Sequence, residues 1–143
     1  VAVSKEPIYY WVTHNDSLSH KHYGEYFLEV VRTACKHYEY FNKDYNFYTQ
    51  KYCMHVVDFF HILIRDTAVS SESFSEFSEY IIKAFSFEQA QKYWLYYDTD
   101  NSLDKKVKSL IKDGRLDNIP KLYKKIYLSC KFKKKVRSIL KSN

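Results

Sequence analysis

Glycine and proline interrupt regular backbone more strongly than any other residues, and this chain of 143 residues holds only four: Pro7, Gly24, Gly114 and Pro120. Sheets need a turn every few residues, and tight turns draw on these two types. A chain so poor in both is expected to be all-α, with a few long helices and few loops. Apolar residues make up 45% of it, enough for a packed core despite 28% charge, which excludes a disordered chain. A single domain over 1–143 is expected, burying about two thirds of the surface that the unfolded chain exposes.

Apolar spacing places the helices. Phe27, Val30, Val31, Ala34, Tyr38 and Phe41 recur three and four apart and predict a first helix over 18–41. Tyr48, Tyr52, Val56, Phe59, Phe60, Leu63 and Ile64 predict a second over 44–68, whose wide apolar face suits the centre of the fold. Ser73 with Glu76 makes a capping box that opens a third helix, carried by Phe74, Phe77, Ile81, Ala84, Phe85, Trp94 and Leu95 to about residue 98. Asn101 and Asp104 cap a fourth, through Val107, Leu110 and Ile111. Gly114 would end it in the left-handed conformation, and Pro120, tolerated only in a first turn, restarts it. The fourth element is then one kinked or broken helix, 102–113 and 119–141. Helices of roughly 24 residues are about 36 Å long at 1.5 Å per residue. Short links fold such rods back on one another, giving an elongated up-down-up-down four-helix bundle over 17–143. Residues 1–16, with the apolar run Ile8 to Val12, are expected to form an N-terminal arm.

The net charge of +6 conceals a polarity along the chain. Residues 102–143 hold 14 Lys and Arg against Asp104, Asp113 and Asp117, a net of +11, whereas residues 1–101 hold nine basic and 14 acidic side chains, a net of −5. The densest stretch is the last predicted helix, where Lys124, Lys125, Lys131, Lys133, Lys134, Lys135 and Arg137 stand among Leu122, Ile126, Leu128, Phe132, Val136, Ile139 and Leu140. Such a helix fits three roles. It can lie on a host membrane or other anionic lipid surface, each cation contributing about 1 kcal/mol near the leaflet. Nucleic acid, held by the same cations with Tyr123, Tyr127 and Phe132, is the weaker fit. Alternatively the apolar stripe is the fourth wall of the core, and its lysines are a solvated face set against Glu72, Glu76 and Glu79. No apolar run approaches the roughly 18 to 20 residues that span a bilayer.

Nothing reads as catalytic. The sequence has no glycine-rich phosphate loop, no G-x-S-x-G and no H-E-x-x-H, so a non-enzymatic protein with no cofactor and no small-molecule substrate is expected. Cys35, Cys53 and Cys130 form no C-x-x-C pair and are expected to be buried thiols, with one disulfide and a free thiol as the alternative. Among His14, His20, His22, His37, His55 and His61 no two stand four apart, so no metal site is expected. His37, His55 and His61 lie beside core positions, and Asp58 sits between Val57 and Phe59. These four make a candidate polar switch: a core histidine whose protonation at mildly acidic pH loosens the bundle, or a carboxylate paired in the interior.

The run Tyr123-Lys124-Lys125-Ile126-Tyr127-Leu128-Ser129-Cys130-Lys131-Phe132-Lys133-Lys134-Lys135 closes a Tyr- and Lys-rich, Gly-poor chain of long helices. In this the sequence resembles the family of malaria-parasite sporozoite microneme proteins essential for cell traversal. The resemblance implies a four-helix bundle secreted from micronemes, which helps sporozoites breach host cell membranes by opening, and it carries over no catalytic residues. The poxviral Bcl-2-like inhibitors match less well, because their Asn-Trp-Gly-Arg signature is missing. The expectation is therefore a secreted helical bundle acting at membranes in host-cell traversal through its basic helix. The alternative is a soluble interaction module that binds a protein partner through a fixed bundle face.

Overall fold

A computed structural model describes residues 28–36 and 49–141. Every regular element among the described residues is helical, and the helices form a bundle around one apolar cluster. The predicted arm 1–16, both predicted ends of the first helix and residues 44–48 lie outside the described residues. What is seen of the first helix, α1, covers 28–36 and turns Val31 and Cys35 inward.

Helix α2, Thr49–Ser70, is the hub that the sequence expects. Its buried residues Cys53, Val56, Val57, Phe60, Leu63, Ile64, Thr67 and Ala68 recur at three and four with adjacent pairs, which widens the apolar stripe enough to face several partners. Those partners are α3 (Phe74–Phe85), α4 (Glu88–Tyr96) and the last helix, α7 (Lys124–Lys141). Phe60, Phe85 and Trp94 meet at centroid distances of 4.6 to 5.8 Å and join α2, α3 and α4. Phe74 and Phe77 meet Tyr127 at 5.4 and 5.3 Å and tie α3 to α7.

The third predicted helix is two helices, and helical phase explains the correction. A continuous helix that buries Phe77, Ile81, Ala84 and Phe85 would carry Glu88 and Lys92 onto the same face, eleven and fifteen positions after Phe77. Burying those charges would cost several kcal/mol. Instead the chain breaks at Ser86 and the extended Phe87, and α4 restarts rotated so that Ala90, Tyr93 and Trp94 point inward. Glu88 and Lys92 pair on the outside at 2.9 Å. Side chains cover the break: Ser86 Oγ donates to the Ile82 carbonyl at 2.7 Å and Gln91 Nε2 to the Phe85 carbonyl at 2.8 Å.

Local signals elsewhere act where the sequence puts them. Ser73 Oγ accepts the Glu76 N–H at 3.1 Å, while the Glu76 carboxylate reaches back to the Glu72 N–H at 2.6 Å, one residue earlier than a standard capping box. Asn101 Oδ1 accepts from the Leu103 and Asp104 amides at the start of α5, Ser102–Lys112. Gly114 follows with φ +66°, and Arg115 N–H bonds the Leu110 carbonyl at 2.9 Å, the 6→1 bond of a left-handed helix stop. A 3-10 turn, Leu116–Asn118, leads into the short α6, Ile119–Leu122, with Pro120 in its first turn. The continuous run to 141 is a second correction, because Tyr123 breaks α6 from α7. Between Phe74 and Leu122 the chain is thus built of helices of 12, 9, 11 and 4 residues rather than rods of about 36 Å.

Candidate anionic-surface interface

The seven cations proposed for the last helix divide into two groups. Along α7, Tyr127, Cys130, Lys131 and Lys134 share the face turned to α2 and α3; Tyr127 is buried, and Cys130 and Lys131 are half-buried. Lys131 Nζ donates to the carbonyls of Val69, at 3.1 Å, and of Ser71, and Lys134 Nζ reaches the Val69 carbonyl at 3.5 Å. Those carbonyls lie at the C-terminal end of α2, where unpaired carbonyls and the helix dipole favour a cation. Burial, then the charge of Lys134, holds the Lys131 ammonium below its usual range, while Glu76 and Glu72 pull it back up. Lys124 Nζ stands 5.7 Å from the centroid of the Phe74 ring. The predicted acidic counter-face is thus present at Glu72 and Glu76, but Glu79 pairs with Lys83 at 2.7 Å instead.

Lys125, Lys133, Lys135 and Arg137 are exposed, and so is much of the apolar stripe. Leu128, Phe132, Ile139 and Leu140 are 54, 69, 52 and 71% exposed, and Val136 is exposed beside them. At 100° per residue, Leu128, Phe132, Val136 and Ile139 fall on one side of α7, turned away from the face that holds Tyr127, Cys130 and Lys134. Lys124 and Lys135 border this stripe along one edge and Lys133 along the other. The expectation that the stripe is a fourth wall of the core therefore fails along α7, where Ile126 and Leu128 are already exposed; Leu122 before it, Tyr127 and Cys130 pack on the core instead.

Where α7 runs past the second half of α2, the two helices leave a groove. Arg65 and Val69 form one wall, Lys133, Lys134 and Arg137 the other, with Cys130 between them, around a cavity of about 450 Å³. A smaller cavity of about 310 Å³ adjoins it along Asp66, Ser70 and Lys134. Burial holds the Asp66 carboxyl above its usual range, against the opposing pull of Arg65.

The candidate polar switch is only partly assembled. His37 lies outside the described residues. Asp58 is exposed on the outer face of α2, with Met54 and Ile62 one turn to either side, so the expected interior carboxylate at this position is corrected. His55 is half-buried on the same helix. His61 does meet a carboxylate: its Nε2 lies 3.1 Å from Asp104 Oδ1, with side chains 36 and 3% exposed. The other oxygen, Oδ2, accepts from Thr99 Oγ1 at 3.4 Å. A proton on this imidazole would add attraction to the contact, so the expected loosening by acid has no support from His61. Sequence reasoning took Asp104 only as a capping partner. The available signal was its spacing of three and seven residues from Val107 and Ile111, which places it on the buried stripe of α5. Nearby, burial and then the Asp104 charge push the Tyr123 phenol up, and burial pushes the Cys53 thiol up to about 11.

Among the described residues no cluster of three or more His, Cys, Asp or Glu could hold a metal ion, and no helix is long and apolar enough to cross a membrane. Cys35 and Cys53 are buried and Cys130 is half-buried, and no disulfide joins them. In comparisons with known proteins, no family model, no curated protein and no solved structure matches this chain, and the resemblance to the sporozoite family stays an expectation.

Proposed function

We propose that this chain is a non-enzymatic helical bundle that docks on anionic membrane surfaces through the second half of α7. One observation carries this: an apolar stripe of Leu128, Phe132, Val136, Ile139 and Leu140 stands open on a helix whose other face is anchored, and lysines border it. A stripe of this kind settles about 5 to 10 Å into the boundary between headgroups and acyl chains, with the flanking cations at headgroup level. Each of Lys125, Lys133, Lys135 and Arg137 then adds about 1 kcal/mol at an anionic leaflet. Docking needs no opening of the bundle, since the stripe is already outside. A role in host-cell traversal, secretion from micronemes and opening at the membrane are proposals that rest on the resemblance.

The test is co-sedimentation of the chain with phosphatidylserine vesicles and with zwitterionic vesicles, with dye release read in parallel. Sedimentation with the anionic vesicles alone is expected, lost when Phe132 and Leu140 become Ser and when Lys125, Lys133 and Lys135 become Gln. Lys131 and Lys134 are left in place because they hold the end of α2. Failure to bind either vesicle sinks membrane docking and leaves a protein as the partner of the same stripe. Dye release separates opening from docking.

A further inference from the structure

We propose that the groove between α2 and α7 is a binding site for a small, multiply phosphorylated ligand. The site lies beside the apolar stripe and shares Lys133 and Arg137 with the cations assigned to the leaflet, but it does not depend on membrane docking. Its walls bring two arginines, Arg65 from α2 and Arg137 from α7, to one cavity with Lys133 and Lys134. At about 450 Å³ the cavity is in the range of small-molecule sites, roughly 300 to 1,000 Å³.

The cations of this groove are not matched by the protein. Some basic side chains elsewhere on the described surface pair with acids, Lys83 with Glu79, Lys92 with Glu88 and Arg115 with Asp113, all within 3 Å. Arg65, Lys133 and Arg137 have no such partner within ion-pair distance among the described residues, and Lys134 is turned to the Val69 carbonyl. A carboxylate, Asp66, lines the adjoining cavity and feels the charge of Arg65, while its burial disfavours its charged form. Four positive charges around one cavity repel each other, more strongly between low-dielectric walls than in open water. An anion relieves that repulsion. Two guanidinium groups on facing helices suit phosphate, whose oxygens accept bidentate donors, and four charges suit a ligand that concentrates several negative charges on one small frame. Carboxylates of a peptide bring one charge each and are spaced by backbone, so they fill such a pocket less well. Val69 and Cys130 add an apolar part to the lining, which offers a face for a ring between the phosphates.

Inositol 1,4,5-trisphosphate is the probe, titrated by calorimetry into the full chain without vesicles, in parallel with vesicles containing phosphatidylinositol 4,5-bisphosphate or an equal charge of phosphatidylserine. Saturable binding of one trisphosphate per chain is expected. Arg65→Gln and Arg137→Gln should each weaken it about tenfold by removing a charge-assisted contact. Lys125→Gln with Lys135→Gln, outside the groove, should leave it unchanged. Preference for the bisphosphate vesicles that Arg65→Gln removes makes a lipid headgroup the source; binding of the soluble probe without that preference makes it a free phosphorylated metabolite. Both outcomes support the site. No saturable binding, binding that survives both Arg substitutions, or equal competition by sulfate at the same concentration, the mark of an adventitious ion only, overturns it. A chain that ignores phosphatidylserine vesicles yet binds the trisphosphate loses membrane docking and keeps this site. Unchanged circular dichroism and melting of Arg65→Gln exclude misfolding as the cause of lost binding.

Discussion

Two places in this molecule bring charge up to the core, and they handle it in opposite ways. At the junction of α2 and α5 a carboxylate, Asp104, is almost wholly buried and the chain itself supplies its partners, His61 and Thr99. Along α2 and α7 four cations line an open groove and the described chain supplies no counter-charge within ion-pair distance. A buried charge must be paired by the protein, because the alternative is several kcal/mol of lost solvation. An exposed one can be left unpaired at little cost, and its partner can come from outside. The carboxylate at the first place is hydrogen-bonded within the fold; the unmatched charge at the second is available for a ligand.

The contrast is broken most severely at His61. His61→Ala leaves Asp104 buried with a single weak contact, and we expect about 3 kcal/mol of destabilisation and a melting temperature lower by about 10 °C. Asp104→Asn keeps the shape and removes the charge, so its loss should be smaller, about 1 kcal/mol. Urea titration of both variants reads the order, and an Asp104→Asn less stable than His61→Ala would mean that the contact is not what holds this junction.

Next in size is alkaline pH, which should attack the buried side alone. Cys53 ionises near 9.0 when unfolded and at about 11 in the fold, because burial disfavours the thiolate. Between those values the folded chain keeps a proton that the unfolded chain has lost, so stability falls as pH rises through the window, by about 2 to 3 kcal/mol in all. The raised Tyr123 phenol acts in the same direction. Lys131 acts oppositely, since a cation lowered in the fold sheds its proton earlier than in the unfolded chain. Urea midpoints at pH 8 and 10.5 should show the fall, and Cys53→Ala should flatten it whatever its effect at pH 8.

Much of this was legible in the sequence where a local rule decides: the all-helical class, the hub at α2, the Ser73 and Asn101 caps, the Gly114 stop and the Pro120 start. The break at Ser86 was legible too, through the phase of Glu88 and Lys92, but only if each apolar stripe is followed through the charged positions it would bury. Asp104 shows the harder limit. Its stripe marks it as buried, yet its partner His61 lies 43 residues away, and no periodicity connects residues on different helices. The division of the seven cations has the same origin. Lys131 and Lys133 are two residues apart in one basic run, and only the arrival of the α2 terminus beneath Lys131 sets their roles apart.

That division gives the smallest effects. Lys131→Met removes the cation from the end of α2 while keeping the length of its stem, and should cost about 1 kcal/mol through the lost dipole and carbonyl contacts. Arg65→Gln and Arg137→Gln should do the reverse and leave stability unchanged or raise it by a few tenths of a kcal/mol, because each relieves repulsion and breaks no ion pair. Screening separates the two further: between 0.05 and 0.5 M sodium chloride the gain from either arginine substitution should vanish as the Debye length shrinks from about 14 to about 4 Å. The half-buried Lys131 contacts should be screened less, so the deficit of Lys131→Met should persist across the same range. Arginine variants that are destabilised at low salt would show that the groove cations are held by partners within the chain, and the contrast between the two regions would be lost.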